Sequence, residues 1–267
     1  MNTISFMTAN YVAREIGYRM TDGWMQGQEA TDAYFEQPVE VFAPRFDRYM
    51  ADVRGLGFDA VDIWIPILNP VWATAEHIEA AKESLARHNL KVVSLAGGFG
   101  ETREHFEKSC RLAKALDTTI LGGGTGLLYS DRAFMVDTLK AHGLKFGFEN
   151  HPEKNPDEMM EKVGDGGDGT IGLAVDTGWF GTYGFNAAEA LETLKDYLFH
   201  VHLKDVRAPG GHETCRFGEG VVPVEACART LKRIGYRGAI AVEHEPHDYD
   251  PSEDVRISAG MLRGWLA

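Results

Sequence analysis

The chain has 267 residues, of which 44% are hydrophobic and 25% are charged, and its formal net charge at pH 7 is -13. This composition indicates a globular protein with a sizeable core, and the acidic excess excludes partners that are held through many phosphates, such as nucleic acid and anionic membranes. No apolar run approaches the roughly 18 residues of a membrane-spanning helix, and residues 1–10 lack a signal-peptide pattern, so we expect a cytoplasmic protein.

The three cysteines form no C-x-x-C pair, which argues against a disulfide framework or a thiolate zinc site. Cys110 and Cys227 lie at helical spacings typical of core positions. We therefore expect packed thiols in a reducing compartment.

The first apolar run, residues 4–9, predicts a strand, but the next clear helical pattern begins only at Arg45. The intervening residues are rich in aromatic and polar side chains. A loop of this length in a compact domain is usually functional. The sequence therefore predicts a long loop over residues 10–44, which we interpret as a candidate lid or oligomer contact.

From there the chain alternates regularly between strand-like and helix-like segments. The strands are predicted at residues 4–9, 60–64, 91–97, 119–121, 145–151, 171–175, 199–205 and 239–245. Helices are predicted at residues 45–57, 74–88, 101–117, 131–142, 156–163, 186–196, 224–234 and 251–265. Eight such pairs favour a (β/α)₈ TIM barrel formed by a single domain over residues 1–267. An open doubly wound sheet is the alternative, but no Gly-rich fingerprint follows the first strand.

Four of the predicted strands carry a potential metal ligand at or near their carboxyl ends. Glu149, Asp176, His202 and Glu243 belong to the fifth, sixth, seventh and eighth strands. In a barrel these strand ends meet at one mouth, where three carboxylates would repel one another unless they shared a cation. The pattern predicts a site for one divalent metal ion; the alternative is a set of salt bridges at the barrel rim.

The series FENH, VDTG, VHLKD and AVEHE resembles the xylose isomerase-like TIM-barrel superfamily, in particular its sugar phosphate isomerase/epimerase branch. The resemblance implies that Glu149, Asp176, His202 and Glu243 hold one divalent ion, with Mn²⁺ expected first and Mg²⁺, Co²⁺ or Zn²⁺ as alternatives. It also implies that Glu149 and Glu243 exchange protons with the substrate.

Further side chains near these strand ends are candidates for the same site. His151 shares the predicted face of Glu149 and is either a supporting histidine or a third catalytic group. Trp179 stands where many epimerases of the family have a histidine, and it could stack on a sugar ring or an aromatic aglycone. Arg216, followed by a Gly-rich turn, resembles the family's substrate-binding arginine. His212 and Lys204 are the other predicted substrate contacts.

These residues predict an enzyme that removes a proton next to a carbonyl group of a keto-sugar or related polyol, as an isomerase or epimerase. The same enolate could expel a β-substituent, so a lyase, dehydratase or deglycosidase acting on 3-keto-glycosides is the first alternative. A non-catalytic sugar-binding barrel is the second. The expected partner is a small carbohydrate, with a homo-oligomer as a candidate assembly.

Overall fold

Nine β-strands are found in the computed structural model, which describes residues 2–267. Eight of them run parallel: β1 (Ile4–Met7), β2 (Ala60–Trp64), β3 (Lys91–Gly98), β4 (Ile120–Gly124), β5 (Lys145–Glu149), β6 (Ile171–Asp176), β7 (Leu198–Val206) and β9 (Ile240–Glu243). The short strand β8 (Thr214–Cys215) pairs antiparallel with the end of β7.

The parallel strands form a closed barrel. Each strand from β1 to β7 pairs with the next, β7 pairs with β9, and β9 returns to β1 through partners such as Ile4 and Ile240. Helices connect the strands and cover the outside of the barrel. The predicted (β/α)₈ TIM barrel is therefore confirmed.

Eleven α-helices occur within residues 2–267. They are α1 (Trp24–Phe35), α2 (Val39–Gly55), α3 (Ala75–Arg87), α4 (Arg103–Ala115), α5 (Leu127–Ser130), α6 (Arg132–His142), α7 (Pro156–Val163), α8 (Thr177–Thr182), α9 (Ala187–Thr193), α10 (Val224–Arg233) and α11 (Ser252–Leu266). Local sequence explains several boundaries. Thr74 caps α3, Asn155 caps α7 through the amide of Glu158, and Gly143 ends α6 with a φ of 66°.

The prediction of a loop over residues 10–44 is wrong in its secondary structure. This segment contains α1, two short 3₁₀ helices and the first turns of α2, which starts at Val39 rather than Arg45. Pro44 is the sixth residue of α2, and the helix begins directly after Pro38. The function of the segment as a lid or oligomer contact stays a prediction.

The strand register brings the polar strand ends to one level of the barrel. Glu149 pairs with Ala174, Asp176 with His202, and Lys204 with Glu243. The side chains of these residues are buried, although most are ionisable. Among residues 2–267, no helix has the length and apolar character needed to cross a membrane.

Candidate active site

A cavity of about 620 Å³ opens at the carboxyl ends of the barrel strands. Its volume falls in the range of about 300–1,000 Å³ that is usual for small-molecule sites. Both polar and apolar side chains form its walls, and they come from strand ends, βα loops and α1. The main lining residues are Met7, Trp24, Met25, Gln28, Trp64, Gly97, Gly98, Gly124, Glu149, His151, Trp179, Lys204, His212, Thr214, Glu243, Glu245 and His247.

Three of the four predicted metal ligands lie together in the cavity floor. The Nδ1 atom of His202 is 2.5 Å from Glu149 Oε1 and 3.5 Å from Glu243 Oε2. Ligand atoms of these three residues all lie within 4.8 Å of one another. His202 thus stands between two carboxylates that come from β5 and β9, on either side of its own strand.

Asp62 on β2 holds His202 from the interior of the barrel. Its Oδ2 atom lies 2.8 Å from His202 Nε2 and 2.7 Å from His200 Nε2, while Ser94 contacts His200 at 3.2 Å. A carboxylate at Nε2 fixes that nitrogen as a proton donor, which directs Nδ1 of His202 towards Glu149 and Glu243. His200 is buried below the site and takes part in this support.

Asp176 is less closely associated with the other three residues than the sequence predicts. Its Oδ1 atom accepts the amide of Gly178 at 2.7 Å and caps α8, and its Oδ2 atom lies 3.0 Å from Lys204 Nζ. The same ammonium group lies 3.3 Å from Glu243 Oε1 and 3.0 Å from Glu245 Oε2. Lys204 is only 3% exposed, so it is a buried cation shared by three carboxylates.

The buried charges shift one another's pKa values in opposite directions. Burial favours the neutral form of Glu149, but the neighbouring His202 ring outweighs this effect and lowers the pKa of that carboxyl. Burial, reinforced by the charge of Glu245, raises the pKa of Glu243 well above its ordinary value despite the opposing effect of Lys204. The protein's own groups therefore shift the pKa values of Glu149 and Glu243 in opposite directions, an asymmetry that suits an acid/base pair.

The donor set fits a divalent cation. The Oε2 atom of Glu243 is buried and accepts no hydrogen bond from any residue in the range 2–267. Buried carboxylate oxygens normally have a partner, and this one lies near Glu149 and the Nδ1 atom of His202. Two carboxylates and an imidazole are ligands that Mn²⁺ and related ions accept, and Asp176 could join them if it left Lys204.

Two predicted substrate contacts, Trp179 and His212, form an aromatic cluster with His151 beside the carboxylates. The rings of Trp179 and His212 stack with centroids 3.9 Å apart and planes 15° apart, and His151 lies 5.7 Å from the Trp179 ring. His212 is fixed by Thr182 Oγ1 at 2.8 Å, and burial lowers its pKa to about 4. All three rings line the cavity, but the His151 side chain is exposed rather than packed in the barrel.

Arg216 lies away from this group. Its guanidinium pairs with Glu219 and lies 3.6 Å from Asp254, and the residue does not line the cavity. Asp205, the neighbour of Lys204, accepts the amides of Gly218, Gly220 and Val222 and so anchors the loop that carries Arg216. Arg216 thus makes ion pairs with two carboxylates, and its predicted contact with the substrate stays a prediction.

The sequence analysis missed three residues of the site: Asp62, Glu245 and Trp24. Glu245 accepts a hydrogen bond from Trp24 Nε1 at 3.3 Å and also binds Lys204, so it connects α1 to the charged centre. A carboxylate inside the apolar strand AVDIW was the available signal for Asp62. The alternation of the eighth strand, which places Glu245 on the face of Glu243, was the signal for Glu245.

We expect Asp62→Asn to lower Mn²⁺ affinity or turnover by about 10–100-fold, because the His202 ring loses the charged group that orients it. Calorimetric titration with Mn²⁺ and a steady-state assay measure the two effects. Ser94→Ala, which removes only the contact with His200, is the matched control and should change either value less. Equal values for Asp62→Asn and the wild type would contradict the assigned support of His202.

The family known as the xylose isomerase-like TIM barrel matches residues 50–265 of the chain. This range includes all of the charged residues of the candidate site. The chain therefore belongs to the xylose isomerase-like TIM-barrel family.

Individual relatives are distant. The chain is 24% identical over 253 residues to the D-psicose 3-epimerase of Enterocloster bolteae, covering 79% of this chain and 80% of the relative. It is 30% identical over 126 residues to an uncharacterised protein of Methanocaldococcus jannaschii, covering 44% of this chain and only 42% of that protein. The crystal structure of D-allulose 3-epimerase from Methylomonas sp. superimposes with a TM-score of 0.69 at 16% identity, covering 100% of this chain and 97% of the other. That likeness concerns the fold.

Proposed function

We propose that the protein is a divalent-metal-dependent sugar isomerase or epimerase that removes and returns a proton next to the carbonyl group of a keto-sugar or related polyol. The observation that carries this proposal is the pair Glu149 and Glu243, which flank His202 in the floor of a cavity of suitable size. Family membership and the relative that is a sugar epimerase support the same class of reaction.

The two glutamates have the positions that a two-base reaction needs. They extend from β5 and β9, which are separated by β6 and β7 around the barrel, so they approach a ligand between them from different directions. In the direction that we propose, Glu149 takes the proton from the carbon, and Glu243 supplies one to the opposite face. Reversal of the reaction exchanges these roles.

Glu149, His202 and Glu243, with Asp176, would hold the metal ion, and Mn²⁺ is the first choice. When bound, the ion supplies a positive charge for the carbonyl oxygen and its neighbouring hydroxyl group as negative charge develops. Lys204 holds the Oε1 atom of Glu243 at 3.3 Å, which orients its other oxygen towards His202 and the cavity. His151 and Trp179 are proposed as groups that position the substrate, with His151 also able to carry a proton.

Deuterium exchange tests this proposal. The Mn²⁺-loaded protein is incubated with free ketoses and other keto-sugars in D₂O, and the products are analysed by NMR and mass spectrometry. We expect deuterium at a carbon next to the carbonyl group with the carbon skeleton retained. EDTA should abolish the exchange and added Mn²⁺ should restore it. A fully metal-loaded protein that exchanges no proton of any keto-sugar would contradict the proposal.

A lyase is the second candidate, because the cluster of His151, Trp179 and His212 adjoins the carboxylates. His212 lines the cavity, and its imidazole N–H could donate a hydrogen bond to a group β to the carbonyl as that group departs. The exchange experiment separates the two outcomes. A released alcohol or water molecule indicates elimination, and an intact skeleton with altered stereochemistry indicates epimerisation.

A further inference from the structure

The strand order divides the cavity into four sides. Counted around the barrel, β2 and β6 are four strands apart and therefore face each other across the mouth. Trp64 ends β2, and Trp179 lies in α8 directly after β6. Both line the cavity, so two indole side chains are contributed from opposite sides of the barrel.

The side formed by β2 is extended by α1. Trp24 packs edge to face against Trp64 with centroids 5.2 Å apart, and its Nε1 atom is fixed by Glu245. The side formed by β6 is extended by the His212 ring that stacks on Trp179. Each aromatic side is thus a pair of rings that other contacts hold in place, which makes it a preformed surface for a flat or cyclic group.

The remaining two sides differ sharply in chemistry. Strands β7 and β9 present Lys204 and Glu243, while the opposite strands β3 and β4 present glycines, Gly98 and Gly124, that have no neighbouring atoms within 4 Å of an added Cβ. Space is therefore available opposite the charged groups. A ligand that placed a sugar ring at the carboxylates could extend towards the glycines between the aromatic sides.

The charge of the cavity opposes a phosphorylated ligand. Its only Lys or Arg side chain, among the residues that the structure describes, is Lys204, which already contacts Asp176, Glu243 and Glu245. Together with Glu149, these make four carboxylates against one ammonium group. A bound divalent ion would leave the carboxylates in excess, and no Lys or Arg side chain of the cavity, within residues 2–267, is free for a phosphate dianion.

We propose that the substrate is an uncharged keto-glycoside, in which a sugar ring that carries a ketone is joined to a second cyclic group. The sugar ring lies at Glu149 and Glu243, and the second ring lies between the two aromatic sides formed by Trp24 with Trp64 and by Trp179 with His212. This inference rests on the proposed function for the position of the sugar ring. It applies equally to epimerisation and to elimination, because both begin with the same proton removal.

Isothermal titration calorimetry with four sugar probes tests the inference. Phenyl β-D-glucopyranoside, methyl β-D-glucopyranoside, D-fructose and D-fructose 6-phosphate are titrated separately into the protein in buffer with Mn²⁺. We expect the phenyl glycoside to bind about tenfold more tightly than the methyl glycoside, because its second ring is stacked. We expect D-fructose 6-phosphate to bind no more tightly than D-fructose.

Two variants locate the second ring. Trp24→Leu and Trp179→Leu should each reduce the preference for the phenyl glycoside by about threefold or more. Trp265→Leu is the matched control, since Trp265 stacks on Phe217 outside the cavity, and it should retain the full preference. Thermal unfolding of each variant verifies that the fold is kept.

Three outcomes would overturn the inference. They are equal affinity for the phenyl and methyl glycosides, tighter binding of D-fructose 6-phosphate than of D-fructose, and no measurable binding of the phenyl glycoside. These outcomes are independent of catalysis. A protein that prefers the phenyl glycoside but exchanges no substrate proton retains the inference and contradicts the proposed function. A protein that exchanges protons of free ketoses but does not prefer the phenyl glycoside supports the proposed function and contradicts the inference.

Discussion

Glu149→Gln and Glu243→Gln should each reduce exchange of the substrate proton with solvent by about 10²–10⁴-fold, the usual contribution of a positioned acid or base. Glutamine keeps the shape of the side chain but cannot accept a proton from carbon at neutral pH. Each variant should lose proton exchange from one of the two epimers, and the two variants should differ in which epimer this is, because each removes the base for one face. Deuterium incorporation from D₂O, measured separately from each epimer, distinguishes them.

A substitution of an exposed glutamate is the control for these two variants. Glu225→Gln removes a partner of Arg229 on the surface of α10 and should leave the exchange rate unchanged. Circular dichroism and thermal unfolding should show that the fold persists in Glu149→Gln and Glu243→Gln. Wild-type exchange in either of them would exclude the two-base reaction, whereas loss in only one direction supports it directly.

Lys204→Met should lower the free energy of unfolding by about 3–5 kcal/mol at neutral pH in the presence of EDTA, the usual loss when one partner of a buried charge pair is removed. Burial disfavours the charge on Lys204, yet Asp176, Glu243 and Glu245 outweigh it and raise its pKa well above the ordinary value. Without the ammonium group these carboxylates are left buried and mutually repulsive. Urea unfolding measures the loss.

Mn²⁺ should restore part of the stability of Lys204→Met, because a divalent ion replaces the missing positive charge among the same carboxylates. Lys108→Met, which breaks only a surface pair with Glu104, is the control and should change stability by less than about 1 kcal/mol. A loss in Lys204→Met no larger than in this control would contradict the role of Lys204 as the internal counterion.

The sequence was sufficient for the barrel and for most of the polar strand ends. Alternating apolar segments, capping residues such as Thr74 and a terminal glycine at Gly143 are local signals, and each element that depends on them was confirmed within a few residues. The joint position of Glu149, His202 and Glu243 follows from the common direction of parallel strands. Their proposed roles with metal and substrate stay predictions.

Features that depend on contacts across the barrel could not be predicted in this way. Asp62 reaches His202 only because β2 and β7 face a common interior, and nothing in the sequence near either residue reports that distance. Asp176 pairs with Lys204 rather than joining Glu149, His202 and Glu243, and only the folded geometry determines which partner it has. Helix α1 was missed because no side chain caps its first turn and its apolar residues form no regular stripe.

The glycines of β3 and β4 differ in whether they can be replaced by residues with a side chain. A Cβ atom at Gly123, where φ is 148°, would lie 2.0 Å from the carbonyl oxygen of Gly97, so this position is fixed by contact between two backbones. Gly98 and Gly124 have no such contact and face the cavity. Side chains can therefore be introduced at Gly98 and Gly124 with little loss of folding stability. Such side chains would reshape the cavity on the side opposite the acid/base groups. Evolution or design can narrow the range of substrates there without disturbing those groups.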